Sequence, residues 1–203
     1  MIRKQKLILG YLAENCYLVW NSASGEGVVI DPGCEADKII KVVEAEHIVP
    51  KAILLTHGHV DHIGAVPEIV EKYNVGLWLH PDEKDLYFSP ANALPPWMSA
   101  VQGLPEPLKE LPRIEGLDFQ VFHTPGHTPG GVCYYFPNEK FILTGDTLFK
   151  GTYGRTDFPG GSTAAIMDSI KNILFKLPDD VVVHPGHEVN TTIGKEKQCP
   201  LYA

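Results

Sequence analysis

Residues 56–65 read THGHVDHIGA and follow directly on the apolar run AILL. Four side chains that metals favour, His57, His59, Asp61 and His62, crowd the point where a strand runs out. A lone histidine is ordinarily a core or surface residue, but this density behind a buried strand reads as a metal site. On an extended segment side chains repeat every second residue, so His57 and His59 point to one side and can grip one ion. Asp61 and His62 follow where the chain turns into a helix and can face a second. Imidazole with carboxylate suits Zn²⁺, Fe²⁺ or Mn²⁺, and no cysteine sits in the cluster to select a thiolate site.

The same grammar, an apolar strand closed by a polar residue, recurs along the chain. Asp31 follows GVVI, His127 lies in HTPGHTPGG, Asp146 in FILTGDTLF and His187 in VVVHPGHE. Strand ends bring residues distant in sequence to one rim, where a rigid scaffold holds the loops. Gly58, Gly64, Gly126, Gly130, Gly145 and Gly186 flank these residues and let the backbone bend closely.

Between the motifs the pattern alternates strands with helices. Strands are expected at NCYLVW, GEGVVI, KAILL, VGLWLH, FQVFHT, GVCYYF, KFILTG and DDVVVH. A helix over EADKIIKVVEAEH places Ala36, Ile39, Ile40, Val43 and His47 on one face. Further helices are expected at AVPEIVEKY, with Pro67 near its start, and at GSTAAIMDSIKNILFKL, capped by Ser162 or Thr163. Residues 88–112 carry Pro90, Pro95, Pro96, Pro105, Pro107 and Pro112, which deny them a long regular helix. The segment reads either as a cover beside a site or as an irregular connection. The whole pattern points to a layered α/β protein, read as one domain over 1–203.

Charge and cysteine usage narrow the function classes. A net charge of −8 without a basic block argues against nucleic acid. No apolar run is long enough to cross a bilayer. The opening stretch, with polar AENC inside its apolar patch, reads as a strand and not a signal peptide. Four cysteines without a C-x-x-C pair suggest reduced thiols and a cytoplasmic setting.

THGHVDHIG matches the H-x-H-x-D-H signature of the metallo-β-lactamase superfamily. TPGHTPGG, LTGDTLF and PGHE are similar to its later motifs, in the same order. The resemblance implies a four-layer αββα sandwich and two divalent metal ions, zinc first, with iron or manganese as alternatives. It implies that His57, His59 and His127 bind the first ion, that Asp61, His62 and His187 bind the second, and that Asp146 bridges them. Asp61 and Asp146 then carry the catalysis, Asp61 as a ligand able to accept a proton. Asp31 resembles the acid that orients the ligands from behind. His47, His80, His123 and His184 match no ligand motif and read as structural or exposed.

FKGTYGRTDFPGGS and TTIGKE resemble the small bacterial branch of glyoxalase II-like hydrolases. That branch implies attack of a metal-bridging hydroxide on a small-molecule thioester, S-D-lactoylglutathione or a related acyl-thiol. Arg155 lies nine positions beyond Asp146, where the family places a basic residue that holds the glutathione carboxylate. A guanidinium fork suits a carboxylate, but Asp157 offers Arg155 a local partner as well. Tyr153 is a further candidate for the substrate pocket, and TTIGKE reads as a helix start. Larger glyoxalase II enzymes carry a basic C-terminal extension, which this sequence lacks beyond Ala203. Glu188 stands where the small branch commonly has glycine, and Cys199 where asparagine is usual.

Four other readings compete. A mononuclear iron persulfide dioxygenase shares much of the signature. A nuclease or phosphodiesterase would use the same metals but wants a basic surface. β-Lactam hydrolysis would call for an export signal. A flavin-diiron module would need a flavodoxin domain and a carboxylate in place of His59.

Overall fold

The computed structural model describes residues 1–202. The chain divides into two units, Met1–Leu79 with Lys84–Leu117, and His80–Glu83 with the chain from Asp118 onward.

The first unit is built on one five-stranded sheet, ordered β1 to β5 as in sequence: β1 (Ile2–Leu9), β2 (Glu14–Asn21), β3 (Glu26–Ile30), β4 (Val49–Leu54) and β5 (Gly76–Trp78). β1, β2 and β3 pair antiparallel through short turns, while β4 runs parallel to both β3 and β5. Parallel neighbours need long crossovers, and helices supply them. α1 (Ala36–Ala45) joins β3 to β4; α2 (Val60–Ile63) and α3 (Val66–Tyr73) join β4 to β5. α1 buries Ile39 and Val43, as its apolar spacing predicts. His47 lies beyond the helix, exposed and at a φ of +53°, so it does not extend that face. α3 begins with Pro67 at its start, where a missing N–H costs nothing.

α4 (Lys84–Phe88) opens the proline-rich segment. No long helix follows. Pro90–Asn92 forms a single 3₁₀ turn, and Leu94 pairs with Met98 in an isolated bridge. Val101 and Leu104 pack on the core of this unit, whereas Trp97 is 59% exposed. The Tyr87 hydroxyl donates to the Pro105 carbonyl, and Asn92 donates to the Tyr87 carbonyl. The segment is therefore pinned at both ends and irregular between them.

The second unit has a five-stranded sheet in the order β12-β11-β8-β7-β6. Its strands are β6 (Gln120–His123), β7 (Val132–Phe136), β8 (Phe141–Gly145), β11 (Val182–Pro185) and β12 (Thr191–Thr192). A small hairpin, β9 (Leu148–Phe149) with β10 (Thr152–Tyr153), lies between β8 and β11 in sequence. α5 (Thr163–Asn172) supplies the crossover between the parallel strands β8 and β11. Its first turn is capped by Ser162, whose hydroxyl accepts the Ala165 N–H, as expected. α6 (Ile193–Lys197) is capped in the same way by Thr192, the helix start read from TTIGKE. Cys133, Ile142, Leu148, Ile166, Ile170 and Val183 form the centre of this unit's core. His184 is buried against Phe141, a structural histidine.

Candidate metal centre

In the first unit three segments meet behind α2. Asp31 ends β3 at a φ of +51°, a conformation an aspartate tolerates better than most residues. Its carboxylate, 2% exposed, takes the Thr56 N–H at 2.7 Å on one oxygen. The other oxygen takes the Thr56 hydroxyl at 2.6 Å and faces His62 Nδ1 at 3.0 Å. Thr56 Oγ1 lies in turn 3.0 Å from His57 Nδ1.

These contacts fix two tautomers. A carboxylate only accepts, so His62 Nδ1 carries the proton. The Thr56 hydrogen goes to Asp31, so Thr56 Oγ1 receives from His57 Nδ1–H. In both rings the lone pair is left on Nε2, the state a metal ligand needs. The Asp31-Pro32-Gly33 corner packs so tightly on the next turn that a Cβ on Gly33 would collide with the Asp61 carbonyl. Ala65 N–H donates back to the Pro32 carbonyl at 2.9 Å.

His57 and His59 do lie on one side of an extended segment, their ring centroids 5.0 Å apart. His57 and His62 are closer, at 4.1 Å. Asp61 and His62 fall in α2, as expected, with Asp61 Oδ2 3.8 Å from His62 Nε2. Gly58, between the first two histidines, sits against the backbone of Tyr87, so the proline-rich segment starts directly behind this loop. Glu14 also belongs to the cluster. It is 1% exposed, and its Oε1 lies 4.0 Å from His62 Nδ1. No motif marks Glu14 or Thr56. The available signal was a glutamate at the head of a largely apolar strand.

The second unit assembles its own set. Asp146 follows β8 and His187 follows β11; the Gly186 N–H donates to the Gly145 carbonyl at 2.8 Å and holds the two strand ends side by side. His127 stands in the loop between β6 and β7. Gly126, at a φ of +136°, brings that loop against α5, where a Cβ would collide with the Ile166 backbone. His127 Nδ1 is 2.7 Å from the Arg155 carbonyl, which also only accepts, so this ring too has its lone pair on Nε2. Asp146 Oδ2 lies 3.6 Å from His127 Nε2 and 3.7 Å from His187 Nε2. These distances are too long for hydrogen bonds. They match the roughly 3.4 Å between two atoms sharing one ion at bonds of about 2.1 Å.

Arg155 itself turns outward. Its Nε and Nη2 donate to the two oxygens of Asp157 at 2.9 and 2.7 Å, and its guanidinium lies over Phe158 at 4.2 Å. The Asp157 hydrogen bond holds Arg155 above its ordinary pKa, and Arg155 holds Asp157 below its own. Tyr153 packs half-buried on the core of its unit, with its ring 6.4 Å from that of Tyr202. All four cysteines are free thiols.

The donor chemistry of both sets fits divalent ions: His57, His62 and His127 are buried with Nδ1 tied to protein acceptors, and Asp61 and Asp146 stand at 3.6–3.8 Å from ring nitrogens, beyond hydrogen-bond range. A family model, the metallo-beta-lactamase superfamily, matches residues 9–187. The chain belongs to that superfamily.

Its relatives extend over nearly the whole chain. A hydroxyacylglutathione hydrolase, GloC, of Haemophilus influenzae is 37% identical over 196 residues, 91% of this chain and 90% of the relative. Two solved structures are similar throughout. The B3 metallo-beta-lactamase BLEG-1 superposes with a TM-score of 0.90 at 35% identity, covering 99% of this chain and 100% of the other. TTHA1623, solved in a di-iron-bound form, gives 0.86 at 41% identity over 97% and 99%. The α/β architecture is thus the metallo-β-lactamase fold the sequence predicted, and the family match together with the hydrolase relative supports a metal-dependent hydrolase. Among the described residues no helix is long and apolar enough to cross a membrane.

Proposed function

We propose that this chain is a binuclear metal-dependent thioesterase of glyoxalase II type, acting on S-D-lactoylglutathione or a related small acyl-thiol in the cytoplasm. The observation that carries the reading is the shared tautomer of His57, His62 and His127, each with Nδ1 fastened to the protein and Nε2 left as the donor. The relative named as a hydroxyacylglutathione hydrolase supports the choice of substrate class.

On this reading His57, His59 and His127 hold one ion, Asp61, His62 and His187 hold the other, and Asp146 serves both. When bound, such ions supply Lewis acidity and bring the pKa of a water towards about 7. Zinc suits the set, and iron or manganese fits the same ligands. The remaining work falls to the chain. Asp31 keeps two imidazoles in the ligand tautomer, and Asp61 accepts the proton released as water adds to the thioester carbon. The carbon–sulfur bond then breaks to give a hydroxy acid and a thiol. Arg155 matches the family position of a basic residue that receives a carboxylate of the thiol carrier, and would turn from Asp157 to do so.

The test is a thioester panel on purified protein whose metal content has been measured, S-D-lactoylglutathione included. Hydrolysis with two ions per chain, lost together with bound metal in His57→Ala, is the expected result. Arg155→Ala should mainly raise KM for thioesters that carry a carboxylate. One iron per chain with oxygen uptake on glutathione persulfide, and no thioester turnover, would make it a dioxygenase instead.

A further inference from the structure

A second cluster of ligand-type side chains lies outside the motifs, at the surface of the second unit. His80, Asp82 and His123 bring two ring nitrogens and one carboxylate oxygen to within 4.8 Å of one another. The two rings stack, with centroids 4.1 Å apart and planes 12° from parallel.

The hydrogen bonds around the pair decide where its lone pairs point. His123 Nε2 is 2.9 Å from the Pro129 carbonyl, which only accepts, so Nε2 carries hydrogen and Nδ1 keeps the lone pair. The Asp82 N–H donates weakly to His80 Nδ1 at 3.3 Å, which puts the His80 lone pair on Nδ1. The Asp82 carboxylate is on the same edge, its Oδ2 3.8 Å from His80 Nδ1. Partial burial and the neighbouring His123 both hold His80 below its ordinary pKa, so a basic imidazole is present at neutral pH.

We propose that His80, Asp82 and His123 form a surface site for one divalent transition ion of the zinc, nickel or copper class. Two imidazoles and one carboxylate are the donor set such ions prefer, and imidazole disfavours magnesium and calcium. The ligand atoms, all within 4.8 Å of one another, must close to the roughly 3.4 Å that shared coordination demands. Because the rings are stacked, closure requires the His80 edge to turn inward with the exposed Asp82 carboxylate following, while His123 stays anchored at the Pro129 carbonyl. Water fills the open positions. A site that needs this movement holds its ion more weakly than a buried set. The proposal does not depend on the binuclear reading, since no residue is shared.

The experiment uses the full chain, loaded with zinc and freed of excess, then titrated with further zinc by calorimetry and metal analysis. One additional, weaker ion per chain is expected in the unmodified protein. His80→Ala and Asp82→Ala should each weaken it at least tenfold while leaving the tight zinc content unchanged. His57→Ala is the converse control, lowering the tight zinc and leaving the weak ion in place. Absence of a weak ion in the unmodified protein, or the same weak binding in both surface variants, overturns the proposal.

Discussion

Asp31→Ala should destabilise the metal-free protein by about 3–7 kcal/mol, which is large for a residue that need not touch substrate. The magnitude follows from what the carboxylate holds. It is buried and accepts from the Thr56 N–H at 2.7 Å, the Thr56 hydroxyl at 2.6 Å and His62 Nδ1 at 3.0 Å. Alanine strands a buried N–H and a buried ring N–H, each costing about 1–3 kcal/mol. It must also hold a φ of +51°, which adds roughly 1 kcal/mol. Urea unfolding of the apo-protein reads the sum directly. Asp31→Asn separates stability from ligand control. The amide oxygen can keep the Thr56 N–H, but the amide nitrogen then faces His62 Nδ1 and Thr56 Oγ1 and must donate to both. His62 is pushed to the Nε2–H tautomer, and Thr56, its hydrogen released, donates to His57 Nδ1 and pushes that ring the same way. Bound metal should therefore weaken by about 10–100-fold in a chelator competition, with a stability loss below that of alanine. Metal affinity equal to the parent in Asp31→Asn would refute the tautomer argument, and an unchanged urea midpoint in Asp31→Ala would refute the burial argument.

Three further outcomes can be measured. Glu188 occupies a left-handed conformation, φ +66°; Glu188→Gly should raise unfolding free energy by about 1 kcal/mol, and a fall would mean that the side chain's contacts outweigh the strain. Burial, with Glu35 and Glu14 nearby, raises the Cys34 thiol to about 11, so its thiolate is scarce at pH 8 and iodoacetamide should label it roughly a hundredfold more slowly than a free thiol, quickening towards pH 11. Rapid labelling at pH 8 would contradict that environment. Glu83 is fully buried and accepts the Gly130 N–H at 2.7 Å; Glu83→Ala should cost about 1–3 kcal/mol in thermal unfolding, while Glu83→Gln, which keeps an acceptor, should cost less.

The positions of Asp31, His57, Asp146 and His187 at strand ends were legible because a continuous apolar run closed by polar residues leaves a strong pattern. The helix caps at Ser162 and Thr192 were legible for a similar reason, since a hydroxyl before a helical run has a local partner. What the sequence hides is partnership across distance. His127 is oriented by the main-chain carbonyl of Arg155, and every residue offers such a carbonyl, so no side-chain identity encodes the contact. Thr56 relays Asp31 to His57 through a hydroxyl that looks ordinary in a strand end. Glu14 has no motif at all. His47 misled by fitting the helical spacing, while the backbone had already turned left-handed there. In the proline-rich stretch, prolines announce irregularity but not which carbonyls, such as that of Pro105, tie it down.

The loop bearing His127 is stapled three times: His123 to the Pro129 carbonyl, Gly130 to Glu83, and His127 itself to the Arg155 carbonyl. A ligand presented on so braced a platform has little freedom left to surrender on capturing its ion. Chelation should then strip the ion without melting the loop, and reloading should run at the pace of diffusion and water exchange, with no refolding phase.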